Sequence, residues 1–235
     1  MTVRLTREQS AARTRERLLE AAQRVFFERG FHGASLEAVA EEAGLTKGAV
    51  YSRFESKADL FLAFQEERNR ENIQGFRQQF YDLEHHDRWS DLIVGYWREK
   101  LLHDPPEYTL LVIEFWASAC RDADVQRRFS DQHERILVAV AELLEEAVAR
   151  LGLVLPLPAV EVTRLSTAIA HGLALEQLMA REKIDEHMIE VAFAPIHELS
   201  GSGRRRRRRA GDRDGQATKG ASNDDRGSRS ARRRG

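Results

Sequence analysis

A single cysteine, Cys120, stands among 235 residues. No disulfide can form within one chain, and a four-cysteine zinc site is excluded. The expected compartment is therefore a reducing cytoplasm. Only five prolines occur, and neither β alternation nor an Asn-Gly hairpin turn is found, which argues against an all-β chain. No run of 18 or more apolar residues exists, so neither a membrane span nor a membrane partner is expected. The first 18 residues lack the apolar stretch of a secretory signal. The eight histidines fall into no HExxH or other metal spacing, and no phosphate-binding glycine loop or GxSxG elbow is present. No metal, cofactor or catalytic residue is expected, and an enzyme is disfavoured.

Charge, by contrast, is abundant at 32% of residues, and the net value of -1 conceals a division along the chain. Residues 201–235 hold thirteen Lys and Arg against four Asp, whereas residues 61–200 hold 14 basic against 25 acidic. Residues 1–60 are nearly balanced, with ten basic and nine acidic. A DNA contact suits either end better than the acidic middle.

The periodicity predicts an all-α fold in three parts: a helix-turn-helix unit over residues 10–60, a helical domain over 61–199, which the family resemblance given below makes an effector-binding and dimerisation domain, and a disordered Arg-rich tail over 200–235. Residues 1–12 are polar and are expected to be loose. A helix is expected from Ser10 to Arg29, because Leu18, Ala22, Val25 and Phe26 share one face. Gly30 ends it. Further helices are expected near 57–80, 89–103, 106–119, 122–151, 158–182 and 185–198, with breaks at His85-His86-Asp87, Asp104-Pro105-Pro106 and Gly152 through Pro158. The tail has too little apolar surface to offset the entropy of ordering.

The informative stretch is SLEAVAEEAGLTKGAVYSRF, residues 35–54. Ser35 and Thr46 are N-cap residues for two short helices, and Ala43-Gly44-Leu45-Thr46 joins them by a tight turn. Val39, Leu45, Val50 and Phe54 are expected to pin this pair onto the first helix. Lys47, Gly48, Tyr51 and Ser52 are then left facing outward. Lys47 reaches a phosphate or a guanine edge, and Gly48 lets the backbone approach the groove. Tyr51 is expected to donate to phosphate, and Arg53 and Lys57 are expected to add cations. Ser35 and Thr46 offer hydroxyls and helix N-termini to phosphate.

The run Gly44-Leu45-Thr46-Lys47-Gly48-Ala49-Val50-Tyr51-Ser52-Arg53-Phe54, followed by Ser56-Lys57 and Leu60-Phe61, resembles the DNA-binding domain of the TetR family. Ala21-Ala22, Phe26 and Gly30-Phe31 precede it at the family's usual distance. The resemblance covers residues 13–63 in detail and departs from the family at Ser52-Arg53. It implies a homodimeric repressor that binds a double-stranded DNA operator. It also implies about six further helices, the last two forming a four-helix dimer interface. On residues 158–198 the expected interface residues are Leu165, Ile169, Gly172, Met179, Ile189 and Phe193. Tyr96, Trp97, Glu114, Phe115 and Trp116 are the expected lining of a pocket for an unknown small-molecule effector. Ordinary core is the alternative for these aromatics, and His171 is expected to be a core or interface histidine. The run Arg204–Arg209 reads equally as a solvated tail or as a non-specific nucleic-acid contact. Three other readings stay open: a nucleic-acid-associated protein working through that tail, a helical enzyme, and a DNA-binding protein with no effector.

Overall fold

The computed structural model describes residues 6–81, 89–196 and 198. The regular structure among them is helical throughout. It comprises α1 (Arg7–Gly33), α2 (Leu36–Glu42), α3 (Lys47–Tyr51), α4 (Lys57–Tyr81), α5 (Trp89–His103), α6 (Pro106–Ala119), α7 (Ala123–Arg150) and α8 (Ala159–Ala180). A 3-10 turn over Arg181–Lys183 leads into α9, residues 186–196. The expected tail, with Arg204–Arg209, and the break at His85-His86-Asp87 lie outside the described residues.

α1 begins at Arg7, inside the stretch expected to be loose. The reason is a reciprocal cap: Gln9 N–H donates to Thr6 Oγ1 (3.2 Å), and Thr6 N–H donates to Gln9 Oε1 (2.9 Å). Its far end is broken rather than finished at Gly30, whose φ of 67° and ψ of 178° are open essentially to glycine alone. One further turn, Phe31-His32-Gly33, follows the break.

α2 closes with two backbone bonds of a left-handed cap. Leu45 N–H donates to Ala40 O (2.9 Å) and Gly44 N–H to Glu41 O (3.0 Å), with Gly44 at φ 62°. Arg17, on α1, donates to Ala43 O at 2.7 Å and ties the turn down. Val39, Val50 and Phe54 are buried against Leu18, Ala22 and Phe26 of α1, and Leu45 packs on the same cluster while half-buried.

The expected boundary between residues 60 and 61 falls inside α4, and the core runs straight across it. Leu60, Phe61 and Phe64 of α4 and Leu111, Phe115 and Ala119 of α6 share one buried cluster with α1–α3. Phe61 stacks on Phe115 with ring centres 4.1 Å apart, and Phe31 meets Phe115 edge-on at 5.2 Å. Such pairs each contribute ~0.5–1.5 kcal/mol beyond their burial. A second cluster, centred on Trp89, Leu144, Ile189 and Phe193, binds α5, α7, α8 and α9 together.

Candidate functional site: a nucleic-acid interface and an internal cavity

The buried side of α3 fixes its outward side. Val50 and Phe54 point into the core, so Lys47, Gly48, Tyr51, Ser52 and Arg53 are exposed. Ser35 and Thr46 are N-caps, as their spacing suggested: their hydroxyl oxygens accept from Ala38 N–H (3.1 Å) and Ala49 N–H (3.3 Å). Ser52 Oγ donates to Ala49 O (3.1 Å), and the Arg53 guanidinium donates to the same carbonyl (2.9 Å).

Two features of this face were not anticipated. The Tyr51 hydroxyl donates to Glu37 Oε1 at 2.6 Å, linking α3 to the first turn of α2. That hydrogen bond holds the Glu37 carboxyl below its usual range and raises the Tyr51 phenol. Lys57 is the second. It was expected to reach a phosphate, but its ammonium donates to His32 O at 3.0 Å and lies 4.7 Å from the Phe31 ring. The physical reason is that α4 starts beside the broken end of α1, whose free carbonyl attracts the cation. Burial there lowers the Lys57 pKa, partly offset by the Glu114 charge.

Between α4, α5, α6, α7 and α8 lies a cavity of about 500 Å³, within the range of small-molecule sites. Tyr96, Trp97 and Trp116 line it. Glu114 and Phe115, expected beside them, do not. They occupy the next positions around α6, where Phe115 is buried in the α1–α4 core and Glu114 Oε2 accepts from Phe31 N–H at 2.6 Å. Residues three and four apart on a helix share a face and those one or two apart do not, which sends Val112, Ile113 and Trp116 into the cavity and Glu114 toward α1.

Sequence reasoning missed most of the polar lining. Gln132 of α7 lines the cavity, and its amide donates to Leu62 O of α4 at 3.0 Å. His133 and His171 line it as well, with His171 edge-on to Trp116 at 5.0 Å. Burial lowers both histidines. For His171 the fall, helped by the His133 charge, reaches about 4, so the ring is neutral near pH 7. Thr163, Ser166 and Thr167 of α8 complete that wall. Their i, i+3, i+4 spacing in a helix otherwise read as apolar was the available signal. Burial also raises the phenols of Tyr96 and Tyr108.

The expected interface residues divide. Leu165 and Met179 are exposed, Met179 at 83%, Gly172 is exposed but also lines the cavity, and Ile169 is half-buried. Ile189 and Phe193 are each 0% exposed and belong to the chain's own second core cluster. α9 turns that stripe inward against α5 and α8, so its outward apolar residues are Met188 and Val191 instead. Among the described residues no helix is long and apolar enough to cross a membrane, and no group of three metal-ligating side chains occurs.

Two family models match the chain. One describes bacterial regulatory proteins of the tetR family and covers residues 18–64; the other describes the C-terminal part of BetI-type transcriptional repressors and covers residues 101–201. The HTH-type transcriptional regulator UidR of Escherichia coli strain K12 is 29% identical over 134 residues, which span 57% of this chain and 66% of UidR. Among solved structures, Salmonella enterica GusR superposes with a TM-score of 0.61 at 20% identity, covering 84% of this chain and 98% of GusR. The regulator FadR of Bacillus subtilis, solved with stearoyl-CoA, gives 0.59 at 14% identity, covering 79% and 97% of the two chains.

Proposed function

Because this chain belongs to the TetR family of helix-turn-helix transcriptional regulators, we propose that it is a homodimeric repressor released from its operator by a small molecule in the internal cavity. The observation that carries this reading is the free outer face of α3, with Lys47, Gly48 and Tyr51 exposed above a buried Val50. A helix of this length reads few bases alone, and two copies ~34–36 Å apart address successive major grooves. The exposed face of α8 and α9, with Leu165, Leu175, Met179, Met188 and Val191, supports pairing of two chains. The cavity supports an effector, as does the structural likeness to a regulator solved with stearoyl-CoA. Acting on DNA, the protein works in the cytoplasm.

Release follows from shared helices. α4 and α6 line the cavity and also belong to the core that holds α1–α3. A ligand that alters their packing shifts the separation of the two reading heads, and a coupling of ~1–3 kcal/mol changes occupancy several-fold or more. The test is selection of genomic fragments by the full chain, followed by sequencing. A recurring palindrome whose half-sites lie one helical turn apart is expected, with binding weakened by Lys47→Ala and Tyr51→Ala while helical content persists. Retention of fragments without any common sequence would defeat the reading.

A further inference from the structure

Among the described residues, two buried polar groups on the cavity wall have no hydrogen-bond partner: the Trp116 indole Nε1–H and the Thr163 hydroxyl. Thr163 is only 4% exposed. Native interiors leave few such groups, and an indole N–H can only donate. The neighbouring polar groups are already committed. Ser166 Oγ and Thr167 Oγ1 donate to Thr163 O at 2.9 and 2.8 Å, and the Gln132 amide donates to Leu62 O.

Charge is equally accounted for. Asp104 is the one carboxylate among the described residues lining the cavity, and it is paired with Arg68 at 3.1 Å and Lys100 at 3.7 Å. Arg181 also lines the cavity, but at its solvent-exposed end just past α8, away from the Trp116–Thr163 wall. The Arg68 guanidinium already covers the Tyr108 ring at 3.8 Å, so that aromatic face is not open to a ligand cation. His133 and His171 are held neutral by burial, which leaves the deep wall without a counter-charge.

Resting on the effector reading above, we propose that the cavity takes a neutral, mostly apolar molecule with an accepting oxygen for the Trp116 N–H and a second polar group for the Thr163 hydroxyl. The two points are separate. Trp116 abuts His171, and Thr163 precedes His171 by eight residues, about 12 Å of helical rise. The ligand therefore carries its two polar groups apart from each other along an aromatic-lined slot. A site built around hydrogen bonds rejects an analogue that lacks the matching group, because its own groups are then left unpaired.

Five probes on one skeleton test this by calorimetric titration of the full chain: diphenylmethane, benzophenone, 4-hydroxybenzophenone, 4-benzoylbenzoate and (4-benzoylbenzyl)trimethylammonium. Benzophenone should bind about three- to tenfold more tightly than diphenylmethane, 4-hydroxybenzophenone should bind more tightly again, and both charged members should bind more weakly. Trp116→Phe should close the gap between ketone and hydrocarbon. Thr163→Val should close the gap between the hydroxylated ketone and its parent, with Thr163→Ser restoring it. Each comparison is made within one variant, so a change in overall stability does not mimic the effect. Diphenylmethane binding as tightly as benzophenone, or a charged member binding tightest, overturns the proposal and leaves the effector reading standing. Binding by none of the five overturns both.

Discussion

The Glu114 carboxylate of α6 accepts the Phe31 N–H of α1 at 2.6 Å, directly beyond the break at Gly30. The same helix sends Val112, Ile113 and Trp116 into the cavity, so one rigid element touches both the ligand space and the end of the DNA-reading unit. A Cβ on Gly30 would come within 2.7 Å of Glu114 Oε2. Gly30→Ala should therefore destabilise the fold twice, through this collision and through its positive φ, the backbone part alone costing ~1–3 kcal/mol. Glu114→Ala should cost ~1–3 kcal/mol by leaving the Phe31 N–H without its partner. Combined, the two should cost less than their sum, because the second substitution removes the collision. Urea unfolding of the three variants measures this, and strict additivity would mean that the carboxylate and Gly30 do not meet.

Tyr51 presents a second relationship. Its phenol is held by Glu37, and the pair, Tyr51 exposed and Glu37 half-buried, sits on the face proposed to meet DNA. A carboxylate near phosphates is repelled, and the phenol must exchange partners on docking. Removing the carboxylate by Glu37→Ala is expected to tighten operator binding about two- to tenfold at low salt, with the gain shrinking as salt screens the charge. Tyr51→Phe should weaken binding. Fluorescence anisotropy on a labelled operator reads both. A loss of affinity in Glu37→Ala would instead show that the carboxylate orients Tyr51 for contact.

The buried His171 makes stability depend on pH. Its folded pKa of about 4 lies below the ordinary 6.5, owing first to burial and then to the His133 charge. The unfolded chain therefore takes up the proton first as pH falls. Stability is full above pH 6.5 and is lost on the way down toward 4, by about 2 kcal/mol at pH 5 and about 3 kcal/mol below 4. His171→Gln should flatten the decline between pH 7 and 5. The slope that remains belongs partly to His133, which burial also lowers with help from Arg164, against Glu134. An unchanged melting profile in His171→Gln would place the titration elsewhere.

The recognition unit was legible in the sequence because its signals are local. Gly44 dictates the turn, Thr46 and Ser35 dictate where helices start, and Val50 and Phe54 fix which side of α3 faces out. The helix limits of the remainder followed from Pro106, Gly152 and Pro158, which interrupt the pattern within a residue or two of the observed ends. What depends on contacts between distant segments was not legible. Lys57 carries no mark in its neighbours to say that the His32 carbonyl would capture it. Glu114, Phe115 and Trp116 are adjacent in sequence, yet they serve α1, the shared core and the cavity respectively. The helical period alone separates them but cannot say which neighbour stands on each side. Ile189 and Phe193 read as interface residues until α5 and α8 are in place to cover them.

That last distinction separates folding from pairing. Met179 is 83% exposed and touches the rim of no core cluster, whereas Ile189 is fully buried among α5, α8 and α9 residues. If the outer face of α8 and α9 pairs two chains, a charge at Met179 must be desolvated on association but not on folding of one chain. Met179→Glu should therefore yield a folded monomer with ordinary helical content, and operator binding should fall because the two half-sites are no longer read together. Ile189→Ala should act differently. It opens a void in the single chain and costs ~2–5 kcal/mol, so it lowers the melting temperature before any change in association is seen. Sedimentation velocity and thermal melting, run on both variants, give opposite rankings under this assignment. A dimer that survives Met179→Glu, together with Leu175→Glu at its neighbouring exposed position, would move the interface off this face.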